Sequence, residues 1–452
     1  MPTRLRFLTP LAAALLMPLG ASAVTAIPPD AAAASATCGG EAMPTDLEPR
    51  FHLTCALDQG IQPGLDTDQA PRIAEALQAL ATQDPPRGLF FPAGRYVVAH
   101  PLALRTGNVL VGSRLRGGAT QFVNPGARTV SITKGFHSAK RILVEGLVLD
   151  NIALAVAGDA TGDDGWVVRY NGLRATRSAD PQILLSSGTQ TVQGNVLWRT
   201  AEHPGVGVRI AGGDGSTVRG NLIGAAAPAA GDRFVDARTR RLLTTLAQLP
   251  LPDGHAPPPA PERGHYTDAI ASEAGPTQLR VERNDVALSA STAAAGDATL
   301  RHAALFIRPD RLALSKNRFS DPTASGLTRA TLQSPVDALV RGNVMRGVDL
   351  HIDAAPATPA TPTKRTRVRG NTFLQAVAET SLIATGWSDT DTTPSDLAFT
   401  GNTFVLVPPG TCLLRAPLPP LGDGAFSESD TTAVAPSVLL TCGLAHRETA
   451  AP

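Results

Sequence analysis

Residues 192–197 read Val192-Gln193-Gly194-Asn195-Val196-Leu197, and the same pattern returns six more times down the chain. It consists of an apolar residue, two small or polar residues, Asn, any residue, and a second apolar residue. The later copies centre on Asn221, Asn284, Asn317, Asn343, Asn371 and Asn402. Apart from one step of 63 residues, from Asn221 to Asn284, the spacing is 26 to 33 residues. That length suits one coil of a solenoid with its loops. The flanking apolar residues would point into the coil. Asn tolerates left-handed backbone and bonds nearby backbone groups, so it suits a tight turn. Stacked coils would place these amides in a ladder, which gives the Asn residues a structural role.

Upstream of the repeat, residues 66–82 carry a helical pattern, with Ile73, Ala76, Leu77 and Leu80 on one face and Asp68 or Thr67 as cap. Short apolar segments follow: Gly88-Leu89-Phe90-Phe91-Pro92-Ala93-Gly94-Arg95-Tyr96, then Leu102-Ala103-Leu104 and Val109-Leu110-Val111-Gly112. Gly and Pro separate them, as turns separate strands. This succession over residues 65–125 is similar to the start of pectate-lyase-like β-helix proteins. The resemblance implies an all-β fold, a single-stranded right-handed parallel β-helix. It selects no activity, because that superfamily holds lyases, hydrolases, epimerases, tailspikes and non-catalytic surface proteins.

The expected organisation is a signal peptide at 1–23, a linker at 24–45, a β-helix at 46–407 and a C-terminal cap at 408–452. The signal reading rests on Arg4 and Arg6, the short apolar run Leu8–Leu19 and the small-residue site Ala21-Ser22-Ala23. The run is too short to span a bilayer, and no later segment is long and apolar enough. The protein is therefore expected to be exported, to the periplasm or beyond. The doubled interval marks an insertion at 225–265. It combines a helical stretch (Phe234, Leu242, Leu243, Leu246, Leu249, with Asp236 as cap) and a Pro-rich strap. Such an insertion either rims a binding cleft or covers the solenoid wall. Export makes disulfides plausible, and the spacing suggests Cys38–Cys55 and Cys412–Cys442 as staples of the two ends.

Net charge is +1, which argues against a nucleic-acid partner. A β-helix cleaves sugars on a flat outer sheet face, using residues brought together by the coil period. Hydrolysis needs paired carboxylates. Uronate elimination needs a base and a cation at the substrate carboxylate. No cofactor or metal set is evident, though a lyase would admit Ca2+. The densest acidic cluster is Asp150-Asn151 with Gly162-Asp163-Asp164-Gly165. It resembles the acidic elements of polygalacturonases, with Leu149-Asp150-Asn151 standing for Asn-Thr-Asp, and Glu202-His203-Pro204-Gly205 and Arg209-Ile210 further on. Gly-Asp-Asp-Gly is equally turn composition.

His265 and Tyr266 form a second group, offering base and acid with Asp268 to orient the histidine, or else a strap returning to the barrel. Arg169, Arg174, Arg177, Arg199 and Arg209 could line up as a stripe for an acidic polysaccharide. Trp166 and Trp198 are the candidate sugar platforms, although aromatic residues make up only 4% of the chain. The leading expectation is an exported, monomeric enzyme that cleaves an acidic polysaccharide by hydrolysis or β-elimination. Its catalytic groups would come from Asp150, Asp163, Asp164, His203 and His265, and its substrate contacts from Arg169, Arg209, Trp166, Trp198 and Tyr266. The alternative is a non-catalytic surface or adhesion protein.

Overall fold

The computed structural model describes residues 37–442 apart from short stretches, the longest being 135–140, 157–164, 227–233, 289–299, 354–363, 375–380 and 387–394, together with several beyond residue 405. Each coil holds three short strands. One coil runs Thr191–Gln193, Val196–Leu197 and Gly205–Ile210. The next runs Thr217–Arg219, Leu222–Gly224 and Tyr266–Ser272. Equivalent strands pair in parallel: Val192 opposite Val218, Val196 opposite Leu222, and Val208 opposite Ile270. Repetition gives three long sheets of 13, 12 and 12 strands. They are called here the first, second and third sheet, in the order the chain meets them within a coil.

Alternation along each strand sends every second side chain inward. The inward residues stack in columns. In the first sheet Val168, Val192, Val218, Val281, Leu314, Val340 and Val368 are successive partners, all fully buried. In the second sheet Leu173, Leu197 and Ile223 lead on to Phe319, Met345, Phe373 and Phe404. Each buried side chain of this kind contributes roughly 1.5–3 kcal/mol. Helix α1, Ala70–Ala81, lays Ile73, Ala76, Leu77 and Leu80 over this core at its N-terminal end. The Ala70 N–H donates to Asp68 Oδ1 at 3.0 Å. Cys38 and Cys55 are joined by a disulfide in the same region. Cys412 and Cys442 lie on neighbouring strands, but their side chains fall outside the described residues.

The Asn turn links the first sheet to the second, and its geometry differs from the sequence reading in one respect. The left-handed residue is the one before the Asn: Gly194, Gly220, Arg283, Lys316, Gly342, Gly370 and Gly401 all have φ near +60°. Asn instead supplies the ladder. Asn317 Nδ2 donates to Val281 O at 2.9 Å and to Asn343 Oδ1 at 3.0 Å, while its own Oδ1 accepts from the N–H and Nδ2 of Asn284. The ladder gains a member that the repeat did not reveal, Asn171, which follows Tyr170 (φ +57°) and donates to Asn195. Eight Asn residues, all buried, are satisfied in this way.

Within the coil that contains Asn221, between its second and third strands, the chain leaves the solenoid. Helix α2, Ala237–Gln248, is capped by Asp236, whose carboxylate accepts from the Thr239 N–H at 2.8 Å. Leu246 packs with Val148, Val196, Trp198 and Leu222 on the outer face of the second sheet. Gly172 makes room for it, since a Cβ there would sit 2.6 Å from the Leu246 side chain. The strap that follows puts Arg263 over the Trp198 ring at 3.9 Å and returns the chain to the third sheet.

Candidate functional site

Most residues singled out in the sequence turn out to hold the fold together. Asp150 is fully buried, which removes it from any open catalytic face. Its carboxylate accepts from Arg174 Nε at 2.5 Å and Gln121 Nε2 at 2.5 Å. Arg174 in turn donates to the carbonyls of Leu249 and Pro250, fastening the end of α2. Arg199 is also fully buried and donates to four carbonyls, those of Ser178, Asp180, His203 and Val206. Arg177 reaches the carbonyls of Pro125 and Gly126. Arg169 pairs with Glu145 at 2.5 Å. The arginines therefore do not form one stripe. Each meets a different local demand for hydrogen bonds.

The aromatic candidates likewise lie inside. Trp166 is fully buried in the interior core, and Trp198 lies beneath the strap. Tyr266 faces inward, its hydroxyl donating to Gln182 Oε1 at 2.8 Å, and burial pushes its ionisation up. His265 is 7% exposed, and burial, with Arg301 nearby, pulls its pKa down. His203 sits exposed on a turn. Arg209 is on the outer face of the third sheet and pairs with Glu273. Asp163 and Asp164 lie outside the described residues.

Asp268 does have a histidine partner, but a different one. Its Oδ1 lies 2.8 Å from Nδ1 of His302, on the adjacent strand Arg301–Ile307. From there a polar column continues across the outer face of the third sheet. His302 is opposite Arg329 of strand Thr328–Gln333, and Arg329 is opposite Asp349 of strand Asp349–Asp353. A second outward column brings Thr331 opposite His351. The intervening residues Ala330, Leu350 and Ile352 point into the core. Pairing shifts by one residue between His302 and Ala304, which face Arg329 and Ala330. A bulge of this kind re-aims a side chain, and bulges concentrate near active sites.

This face holds unmet polar groups. Arg329 Nε and Thr331 Oγ1 are buried with no hydrogen-bond partner among the described residues. A water, an ion or a ligand commonly answers such groups. Asp349 is only 6% exposed, and burial pushes its carboxyl up to about 7, against the opposing pull of Arg329. Burial, reinforced by the charges of Arg329 and His302, brings His351 down to about 3. Titratable groups displaced in opposite directions on one face mark acid–base chemistry. No group of three or more Asp, Glu, His or Cys side chains converges as a metal site would, among the described residues. On this face Arg329 stands between His302 and Asp349.

Sequence reasoning missed His302, Arg329, Asp349 and His351, because they come from three strands of successive coils. One signal was readable: Asp349-Leu350-His351-Ile352-Asp353 alternates strictly, which places Asp, His and Asp together on an outward face.

No family model matches the sequence, and no curated protein matches it. Among solved structures, the chain is similar to PfbA, a surface adhesin of Streptococcus pneumoniae, at 9% identity and TM-score 0.52, covering 84% of this chain and 90% of that one. The fold is a right-handed parallel β-helix. A second β-helix, the A-module of the mannuronan C-5 epimerase AlgE6 from Azotobacter vinelandii, is similar over 84% of this chain and 99% of its own, at 14% identity and TM-score 0.48. At these identities the likeness concerns the fold alone. No helix among the described residues is long and apolar enough to cross a membrane.

Proposed function

We propose that this β-helix is an exported enzyme that cleaves a uronate-containing polysaccharide by β-elimination on the outer face of its third sheet. The observation that carries the reading is the row His302, Arg329, Asp349 on three successive strands, with Asp268 bonded to His302. Asp268 accepts from Nδ1 of His302, which leaves Nε2 to act as the base. That nitrogen takes the proton from C5 of a uronate. The C5–H electron pair becomes the C4–C5 double bond, and the C4–O4 bond breaks. Asp349 is still protonated near neutrality and gives its proton to the departing O4. Arg329, between base and acid, neutralises the substrate carboxylate as charge builds at C5. Neighbouring strands are about 4.8 Å apart, a spacing on the scale of one sugar ring.

Elimination suits this arrangement better than hydrolysis. Asp268 and Asp349 are three strands apart, on the order of 14 Å. The carboxyl pairs of glycoside hydrolases stand about 5–9.5 Å apart. The test is a panel of acidic and neutral polysaccharides, followed by both absorbance of unsaturated uronates and reducing-end release. The expected result is unsaturated product from one acidic polymer, lost in the Asp349→Asn and His302→Ala variants. Reducing ends without unsaturation would replace elimination with hydrolysis. The scarcity of exposed aromatic platforms favours a second reading, a non-catalytic binding surface. Saturable polysaccharide binding by the wild-type protein with no product of either kind would establish that reading instead.

A further inference from the structure

On a different face of the solenoid, α2 and the first turns of the barrel enclose a cavity of about 580 Å³. Gly118, Ala119 and Gly146 line it, and Val148 and Leu242 give it apolar walls. Its polar lining is cationic. Arg114, Arg238 and Arg241 line it, with Asp46 as the lining carboxylate. Beneath them Glu145, fully buried, receives Arg114, Arg169 at 2.5 Å and Arg238 at 2.6 Å. Four guanidinium groups therefore gather around two carboxylates, Glu145 and Asp46. Asp236 nearby is engaged by the Tyr170 hydroxyl and by the N-terminus of α2.

The balance of this cluster is what calls for a ligand. One carboxylate with two oxygens cannot saturate three arginines, each of which has five N–H donors. Arg114 Nε is buried without a hydrogen-bond partner among the described residues. The Arg241 guanidinium lines the cavity and pairs with no side chain among the described residues. A purely structural tie between α2 and the barrel needs only Arg238 and Glu145. It does not need a third and fourth positive charge beside an open volume.

We infer that this cavity binds an acidic sugar unit, its carboxylate taken by Arg114 and Arg241 and its ring packed against Val148 and Leu242. The volume lies within the range of small-ligand pockets and admits one or two sugar rings. Arginine forks match carboxylate geometry. The site is separate from the third-sheet face and does not depend on the chemistry proposed there.

Titration calorimetry on the full chain tests this, with digalacturonate, a neutral disaccharide and inorganic sulfate as probes. The Arg329→Ala background removes the carboxylate contact on the third sheet, so that the remaining heat reports the cavity. Expected is saturable digalacturonate binding that Arg241→Ala weakens about tenfold, the effect of losing one charged hydrogen bond, and that Arg241→Glu abolishes. The neutral disaccharide should not bind. Arg241 is exposed on α2, so its variants should keep the wild-type melting temperature. No saturable heat with digalacturonate, undiminished binding in Arg241→Ala, or sulfate binding as tight as digalacturonate would each overturn the assignment.

Discussion

Asp268 Oδ1 and His302 Nδ1 lie 2.8 Å apart on adjacent strands of the third sheet, although the residues are 34 positions apart in the chain. The bond fixes which histidine nitrogen carries the proton. Replacing His302 with Ala should lower turnover by about a hundredfold or more, the usual worth of a positioned base. Asp268→Asn should retain more activity, because the ring is still present but in the wrong tautomer. Neither side chain is in the core, so both variants should melt with the wild type. Full turnover in His302→Ala would remove it from the mechanism.

Asp349 and His351 should pull the pH dependence of stability in opposite directions. The Asp349 carboxyl is raised to about 7 by burial, so the folded state keeps its proton while the unfolded chain has already released it. Stability therefore falls as pH rises from about 4 to 7. His351 is lowered to about 3, so below about 6.5 the unfolded chain takes up a proton that the folded state refuses. Stability from this group is lost as pH falls through that window. In the wild type the two slopes largely cancel. Asp349→Asn should expose a slope rising with pH, and His351→Gln one falling with pH, each on the order of a few kcal/mol across the window. Urea unfolding at a series of pH values measures both. Parallel curves for wild type and variants would contradict the assigned burial.

The same carboxyl sets the pH profile of turnover. An acid that must be protonated gives a rate that declines as pH rises through about 7. Asp349→Asn should abolish turnover at every pH while leaving polymer binding measurable. A variant that keeps the declining limb would place that titration on another group.

Asp150 should report on stability and not on chemistry. Removing one member of a buried ion pair typically costs about 3–5 kcal/mol. Asp150→Ala should fall in that range and loosen α2, because Arg174 would lose the carboxylate that aims it at the carbonyls of Leu249 and Pro250. The double change Asp150→Leu with Arg174→Met should recover much of the loss. Thermal melts of the two proteins decide the matter. If Asp150→Ala folds normally and is inactive, the residue belongs to the chemistry after all.

The solenoid was legible in the sequence because a coil obeys a local rule. Seven copies of one turn and a column of Val and Leu at fixed offsets need no long-range information. The candidate site was not legible in this way. Whether Trp166 faces inward or outward depends on strand parity, and a shift of one residue reverses it. Which residues meet depends on how many the chain spends in each loop. Asp268, His302, Arg329 and Asp349 are separated by 34, 27 and 20 residues, with no common period. The Asp268–His265 pairing, natural from proximity in the chain, does not form: the strand pairing shifts register between Tyr266 and Asp268, and Asp268 bonds His302 of the next strand instead. The arginines misled for another reason, since buried loops with unpaired carbonyls recruit the same side chain as an acidic ligand does.

The Asn ladder has a direction. From Asn171 to Asn402 each Nδ2 donates to the Oδ1 of the following coil, and none of these bonds runs backwards. The amide dipoles therefore all point the same way along the solenoid axis, and each polarises the next. Such a row behaves less like a set of separate rivets than like a single thread under tension. A cut near Asn317 leaves two short threads, and a cut near either end leaves one long one. Damage should therefore depend on position even though every link is chemically identical.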